Sequence, residues 1–235
     1  MSYSFELCDI DQWNIPYPDG YFDFIHARSI HIGVESSLPL HVLFASQLNS
    51  ICQIHNYPRF LHEIARLLRP GGLVLLVEPT LHPCPPPPSY EPMRGWVAFW
   101  DTYRACLTRQ LIDVTVPERL ADLLASTSAF ERIIVQEGNI PVGFWPQGMI
   151  LITSYFNFFP AYPKSPKDPH LLTVGQLQWM DYELFLPALR PLFLSCGLPP
   201  STVEMLIRDA QHDLYHPSYP ASTLLHIAYA SRRYH

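Results

Sequence analysis

The feature that most constrains the fold is a helix pattern that leads through a glycine turn into an apolar strand pattern. Asn56 can cap a helix that has Pro58 in its first turn. The apolar residues that follow recur at helical spacing: Phe60, Leu61, Ile64, Leu67 and Leu68. Pro70-Gly71-Gly72 stops this pattern, and the apolar run 73–77 predicts a strand that is buried on both faces. Helix, tight turn and buried strand are the second half of a β-α-β unit, which predicts an α/β fold.

Further strands are predicted on both sides of this unit. The turn signal Pro18-Asp19-Gly20 precedes the apolar and aromatic run 22–26. Segments 130–135, 140–145 and 225–230 also have strand or extended patterns. No internal repeat and no linker marks a second domain, so residues 1–235 are predicted to form a single domain.

Helix patterns occupy much of the second half of the chain. A proline-rich connector at 83–92 precedes an aromatic stripe that begins at Trp96 and recurs at helical spacing. A second helix candidate starts at Pro117. The segment 175–194 predicts a helix that its two prolines should kink or split. Ser201-Thr202-Val203-Glu204 has the pattern of a capping box, which predicts the start of another helix.

Composition excludes several classes of protein. Hydrophobic residues make up 48% of the chain, charged residues 15%, and the formal net charge is −6. This balance argues against disorder, and without a basic block it argues against nucleic acid as a main partner. The five scattered cysteines fit free thiols in a reducing compartment better than a disulfide framework or a zinc site. We see no signal peptide and no apolar stretch long enough to cross a membrane, so a cytoplasmic or nuclear protein is expected.

Two segments resemble a known family when they are read together. Residues 5–28 resemble the third and fourth strands of class I S-adenosylmethionine (SAM) methyltransferases. Residues 57–79 are similar to the helix, Pro-Gly-Gly turn and fifth strand of that family. The segment 140–146 resembles an element of the fungal, LaeA-like methyltransferases of secondary metabolism, and the region 175–233 is similar to their tail.

The resemblance implies a Rossmann-like sheet with helices on both faces, which binds SAM at the carboxyl ends of the strands. It also implies four cofactor-binding residues. Asp9 and Ile10 match the positions that contact the adenine, although Asp9 also suits an ordinary acidic turn. Ala27 and Arg28 match the end of the fourth strand beside the SAM pocket, and Arg28 is equally suited to pairing with a surface carboxylate. No catalytic residue and no metal site is predicted.

The chain departs from the family pattern in two places. In the family, a Gly-x-Gly loop after the first strand approaches SAM, but no Gly-x-Gly occurs here. We therefore expect a sheet without its first two strands, doubtful SAM binding, and protein association through the exposed sheet edge. The stretch 34–53 is an atypical insertion, and we hypothesise that it is a retained in-frame intron.

Three further features have both a functional and a structural interpretation. His82 follows the predicted fifth strand, where a base could reach a substrate, but a solvent-facing loop histidine is the commoner case. His212 and His216 have a spacing that can bind metal, but without a third ligand a solvated helix face is favoured. The aromatic stripe from Trp96 is expected to be core, with a place in an apolar substrate pocket as the alternative.

Two functions follow from the sequence. The first is SAM-dependent methyl transfer to a small molecule in fungal secondary metabolism. The second is a non-catalytic methyltransferase remnant that acts as a binding partner.

Overall fold

The computed structural model describes Ile10 and residues 15–31, 56–143 and 169–234. The elements in this part of the chain are β1 (Phe22–Arg28), α1 (Tyr57–Leu67), β2 (Leu68–Pro79), α2 (Arg94–Arg109), α3 (Leu120–Ser126), β3 (Phe130–Pro141), α4 (Pro169–Ala188), α5 (Arg190–Ser195), α6 (Pro200–Tyr215) and β4 (Ser222–Arg232). A short 3-10 helix, Val116–Arg119, leads into α3. The strands form a four-stranded sheet in the order β1-β2-β4-β3.

The predicted β-α-β unit is present. The side chain of Asn56 accepts a hydrogen bond from the backbone N–H of Arg59 at 2.9 Å, so it caps α1 as expected. Strand β2 follows α1 directly and runs parallel to β1, with Ala27 opposite Leu76 and Arg28 opposite Val77. A parallel pair joined through a helix is the building unit of Rossmann-like sheets, so the predicted α/β class is confirmed.

The Pro-Gly-Gly segment lies inside β2 instead of ahead of it. The register passes from Phe22 opposite Leu68 to Phe24 opposite Leu73, so β2 accommodates extra residues as a bulge. Gly71 sits in the bulge with a φ of 76°, a conformation that glycine adopts without strain. The prediction of a turn ahead of the strand is therefore wrong, because Pro-Gly-Gly forms a bulge within a strand that continues on both sides of it.

The described chain divides into two compact units. The first comprises residues 1–78, 115–136 and 226–235, and it holds β1, α1, most of β2 and α3. Its core is the cluster of apolar residues in which α1 and α3 pack against one face of the strands. The largest fully buried members of this cluster are Tyr57, Phe130, Leu61, Ile64, Leu68, Leu76 and Leu120.

Only one face of β2 is fully buried. Burial alternates along the strand, with Val74 and Leu76 at 0% exposure and Leu73 at 50%. Phe24, the register partner of Leu73, is 53% exposed. The prediction of a strand buried on both faces is therefore wrong for the described residues, because a continuous apolar run does not show how many layers cover it.

The second unit comprises residues 79–114 and 137–225 and is mainly helical. Helix α2 packs on α5 and α6, and its aromatic stripe meets Tyr182 and Phe185 of α4. The core interpretation of that stripe is confirmed, because its rings are buried against one another. These rings are Trp96, Phe99, Trp100 and Tyr103.

Three local predictions have clear outcomes. The helix over 175–194 is split as predicted, with α4 ending at Ala188 and α5 starting at Arg190; Pro187 lies inside α4, and Pro191 is in the first turn of α5. The capping box is wrong, since α6 has Pro199 as its N-cap without a side-chain cap bond, and Glu204 pairs with Arg190 instead. Segments 130–135 and 140–145 belong to one strand as far as Pro141, and 144–145 lie outside the described residues. None of the described helices is long and apolar enough to span a membrane.

Candidate functional site

The carboxyl ends of β1 and β2 lie side by side in the first unit, and a turn closes over them. The backbone N–H of Ser29 donates to the carbonyl oxygen of Val77 at 2.8 Å, which extends the pairing one residue beyond β1. Ser29 itself has a φ of 52°, so the chain turns sharply there. The turn brings His31 to a fully buried position at 0% exposure. A polar ring is thus buried at the edge where open α/β sheets bind their ligands.

Three buried polar side chains meet at this edge. Tyr57, the first residue of α1, donates its hydroxyl hydrogen to Oε1 of Glu78 at 3.2 Å. Nδ1 of His31 lies 3.6 Å from Oε2 of the same carboxylate, just beyond hydrogen-bond distance. The ring of His31 also meets the ring of Tyr57 edge-on, with centroids 6.3 Å apart. Glu78 therefore stands between a phenol and an imidazole, and we call these three residues the edge triad.

The edge triad is electrostatically unusual. Burial raises the pKa of the Tyr57 hydroxyl well above its ordinary value, and the charge and hydrogen bond of Glu78 raise it further. Tyr57 therefore remains a hydrogen-bond donor throughout the physiological pH range. Within the described part of the chain, both ring nitrogens of His31 and Oε2 of Glu78 have no hydrogen-bond partner. Such atoms cost about 1–3 kcal/mol each, so a site that retains them calls for a structural or functional reason.

A carboxylate beside an imidazole is an arrangement that can hold or transfer a proton. In this conformation the edge triad is closed to solvent, since His31, Tyr57 and Glu78 are exposed by 0%, 2% and 0%. The three buried side chains therefore connect the ends of β1 and β2 to the start of α1 inside the protein.

The structure separates the predicted cofactor-binding residues. Ile10 packs half-buried against the apolar cluster that contains Ala27, so these two share one environment. Arg28 is exposed, and the alternation of side chains along β1 puts it on the opposite face from Ala27. Asp9 lies outside the described residues.

Sequence reasoning missed the edge triad. Glu78 ends an apolar run, and a charged residue at the end of a buried strand was a usable signal. His31 follows β1 by only three residues, but a lone histidine in a loop pattern carries little weight. Tyr57 appeared only as part of a family resemblance, because its spacing marks it as core and the sequence does not show what its hydroxyl faces.

The other candidate residues lie in the second unit. Nδ1 of His82 is 3.5 Å from the carbonyl oxygen of Pro83. The rings of His212 and His216 are 5.1 Å apart, and His212 is near Asp213. Among the described residues, no three His, Cys, Asp or Glu side chains are grouped to hold a metal ion.

A comparison with curated proteins gives a distant relative. No protein-family model matches the chain. A curated relative, the secondary metabolism regulator laeA of Coprinopsis cinerea, is 25% identical over 240 aligned positions, which cover 96% of this chain and 48% of the relative. The chain therefore spans about half the length of the curated relative that it matches.

Among solved structures, the chain is similar to methyltransferases and to a cyclase. It has a TM-score of 0.38 to Haemonchus contortus phosphoethanolamine N-methyltransferase 2 in complex with SAM, at 11% identity over 93% of this chain and 35% of that one. The TM-score is also 0.38 to loganic acid methyltransferase with its bound SAH, at 12% identity over 92% and 63% of the two chains. For the [4+2]-cyclase SpnF it is 0.36, at 13% identity over 97% and 55%. These TM-scores are too low to establish a shared fold, so the α/β assignment rests on the strand pairing itself.

Proposed function

We propose that this chain belongs to a SAM-dependent methyltransferase that acts on a small molecule, in the LaeA-like group of fungal secondary metabolism. The observation that carries the proposal is the parallel pair of β1 and β2. Two segments, 5–28 and 57–79, resemble class I methyltransferases. Their strands β1 and β2 are paired neighbours in the sheet, and α1 lies between them in the sequence. Their carboxyl ends share one edge, which is the ligand edge of such sheets.

The curated relative supports the assignment to this group. Its alignment covers almost the whole chain, so the likeness extends beyond the two resembling segments. Because this chain spans about half of that relative, the activity of a whole protein is part of the proposal.

The family resemblance assigns four residues to a cofactor at this edge. Asp9 and Ile10 would contact the adenine of a bound SAM, and Ala27 and Arg28 would border its pocket at the end of β1. Arg28 is exposed beside the strand end, where a cation can meet a carboxylate. When bound, SAM would supply an electrophilic methyl group, and the contribution of the chain is to orient cofactor and acceptor.

Calorimetric titration of the folded chain with SAM and with its demethylated product tests this proposal. Asp9→Asn and Arg28→Ala should weaken binding. Arg208→Ala, in an exposed position on α6, should leave it unchanged. If a folded sample releases no heat at high concentrations of either ligand, this chain does not bind the cofactor.

A non-catalytic binding role is the second candidate, and the apolar face of the sheet favours it. Phe24 and Leu73 are exposed neighbours across β1 and β2, and Tyr229 on β4 is also exposed. Exposed apolar patches of this kind mark association surfaces, and β1 ends the strand order of the described sheet.

Sedimentation velocity distinguishes the second candidate from the first. For a binding role, we expect the chain to associate and Phe24→Ser to reduce that association. The exposed control Leu184→Ser should leave it unchanged. A chain that binds SAM and remains monomeric at every concentration would favour the enzyme.

A further inference from the structure

Two cysteines of the second unit lie together where α2 meets α5. Cys106 is in the last turn of α2, and Cys196 is the C-cap residue of α5. The Cys196 thiol donates to the carbonyl oxygen of Cys106 with a sulfur–oxygen distance of 3.9 Å. The Cys196 sulfur is therefore in contact with the backbone of Cys106, and the formation of a disulfide requires such a close approach of the two residues.

The two thiols have different surroundings. Cys106 is buried, whereas Cys196 is only partly buried, so a small reagent meets Cys196 first. Burial raises the pKa of Cys106 to about 12, and the neighbouring Cys196 thiol contributes in the same direction. Cys106 alone is thus a poor nucleophile, and it reacts only when an electrophilic sulfur is placed beside it.

A cation stands next to the pair. Nη1 of Arg109 donates to the carbonyl oxygen of Cys196 at 2.9 Å, which links the end of α2 to the end of α5. The positive charge of Arg109 lowers the pKa of Cys106 and so opposes the effect of burial. Arg109 both holds the two segments together and favours the thiolate that the second step of disulfide formation needs.

We propose that Cys106 and Cys196 are a redox-active thiol pair that reacts with a low-molecular-weight disulfide, of the glutathione type, to form a reversible intramolecular disulfide. The proposal does not depend on the methyltransferase function. It fits a compartment in which structural disulfides are absent, because disulfides there are transient and regulatory.

The reaction proceeds in two balanced steps. The Cys196 thiol loses its proton, and its sulfur attacks the external disulfide, which forms a mixed disulfide and releases one small thiol. Cys106 then loses its proton and attacks the Cys196 sulfur of the mixed disulfide, which releases the second small thiol. Two protein thiols are oxidised, and one external disulfide is reduced to two thiols.

The product would tie two helices together across the chain. The two residues are 90 positions apart, and a link over such a long loop restricts the unfolded chain strongly. The oxidised protein should therefore melt at a higher temperature than the reduced protein.

Cys84 provides the matched control. It is a free, partly buried cysteine in the same unit. Burial raises the pKa of its thiol, and Ser222 and the backbone of Leu224 lower it. A reaction that required only a partly exposed thiol would occur at Cys84 as well as at Cys196.

The test equilibrates the reduced, folded chain in glutathione buffers of increasing oxidised fraction, traps free thiols by alkylation, and maps peptides by mass spectrometry. The expected product is tryptic peptide 105–109 crosslinked to the peptide that carries Cys196. It should form in wild type and in Cys84→Ser, revert with excess reduced glutathione, and raise the melting temperature of both. Cys196→Ser should abolish the crosslink and the shift.

Three results would overturn the proposal. The first is the absence of the crosslink in a folded chain at full oxidation. The second is a crosslink that forms only in urea. The third is a melting shift on oxidation that persists in Cys196→Ser. If Cys106→Ala does not fold, Cys196→Ser still tests the proposal, because Cys196 is only partly buried.

Discussion

The hydroxyl of Tyr57 donates a hydrogen bond to Glu78 across 3.2 Å, which joins the first residue of α1 to the carboxyl end of β2. In a β-α-β unit the helix returns the chain from the carboxyl edge of one strand to the start of the next. The hydrogen bond therefore ties the first residue of the helix to the end of the second strand. The three elements of the unit are therefore linked at the edge that the proposed function uses.

Removing the hydroxyl should destabilise the first unit. Tyr57→Phe leaves Oε1 of Glu78 buried without its donor, so we expect the free energy of unfolding to fall by about 1–3 kcal/mol. Urea denaturation followed by circular dichroism measures this loss. Tyr229→Phe, at an exposed position on β4, should change stability by less than about 0.5 kcal/mol. Equal effects at the two tyrosines would contradict the buried hydrogen bond.

The same tyrosine predicts a loss of stability at alkaline pH. Burial, together with Glu78, raises the pKa of Tyr57 in the folded chain. The stability that this shift represents is complete below the ordinary tyrosine pKa, and it is lost as pH rises from there toward the folded value. Urea midpoints measured through this range should fall more steeply for wild type than for Tyr57→Phe. Parallel curves would show that Tyr57 ionises normally in the folded state.

The sequence was sufficient for the β-α-β unit because each of its signals is local. Asn56 caps α1, and apolar spacing defines the helix and strand that follow. Gly71 marks the turn, but its place inside β2 depends on the pairing with β1, which is not local. The prediction that β2 is buried on both faces was wrong for a similar reason. Leu73 and Val74 look alike in sequence, but Leu73 is half exposed and Val74 is fully buried.

The candidate site was less predictable than the fold. Ile10 and Ala27 were predicted from a family resemblance. Both contact the same apolar cluster, and this contact does not test cofactor binding. The edge triad depends on the turn at Ser29, which returns His31 to the end of β2. A φ of this sign at a serine has no sequence signal, so the meeting of His31 and Glu78 could not be derived beforehand.

Arg66 should be essential for the segment that precedes β1. Its guanidinium donates to the carbonyl oxygens of Ile15 and Tyr17, both at 2.9 Å, and it also pairs with Asp19 and Glu63. Lysine cannot reproduce this fork of donors. Arg66→Lys should therefore reduce stability by about 1–3 kcal/mol and speed hydrogen exchange over residues 15–20.

A matched substitution separates geometry from charge in that experiment. Arg208→Lys on α6 keeps an exposed cation and should alter neither stability nor exchange. Unchanged exchange over 15–20 in Arg66→Lys would mean that the guanidinium contacts do not hold the segment.

Gly95 predicts a reversal of the usual effect of alanine in a helix. Replacing glycine with alanine inside an exposed helix normally stabilises it by about 1 kcal/mol. A Cβ at Gly95, however, would overlap the carbonyl oxygen of Asp209 on α6 and lie 3.0 Å from the nitrogen of Ala210. Both are backbone atoms of a packed helix, which cannot move aside as a side chain does.

The contact between α2 and α6 is also fixed in register, because the carboxylate of Asp213 accepts the backbone N–H of Trp96 at 3.0 Å. Gly95→Ala must therefore separate the helices against this bond, and we expect it to destabilise the chain by about 1–3 kcal/mol. Thr108→Ala, at an exposed position of the same helix, is the control and should be neutral or slightly stabilising. A gain of stability in Gly95→Ala would show that α2 and α6 are farther apart than this structure has them.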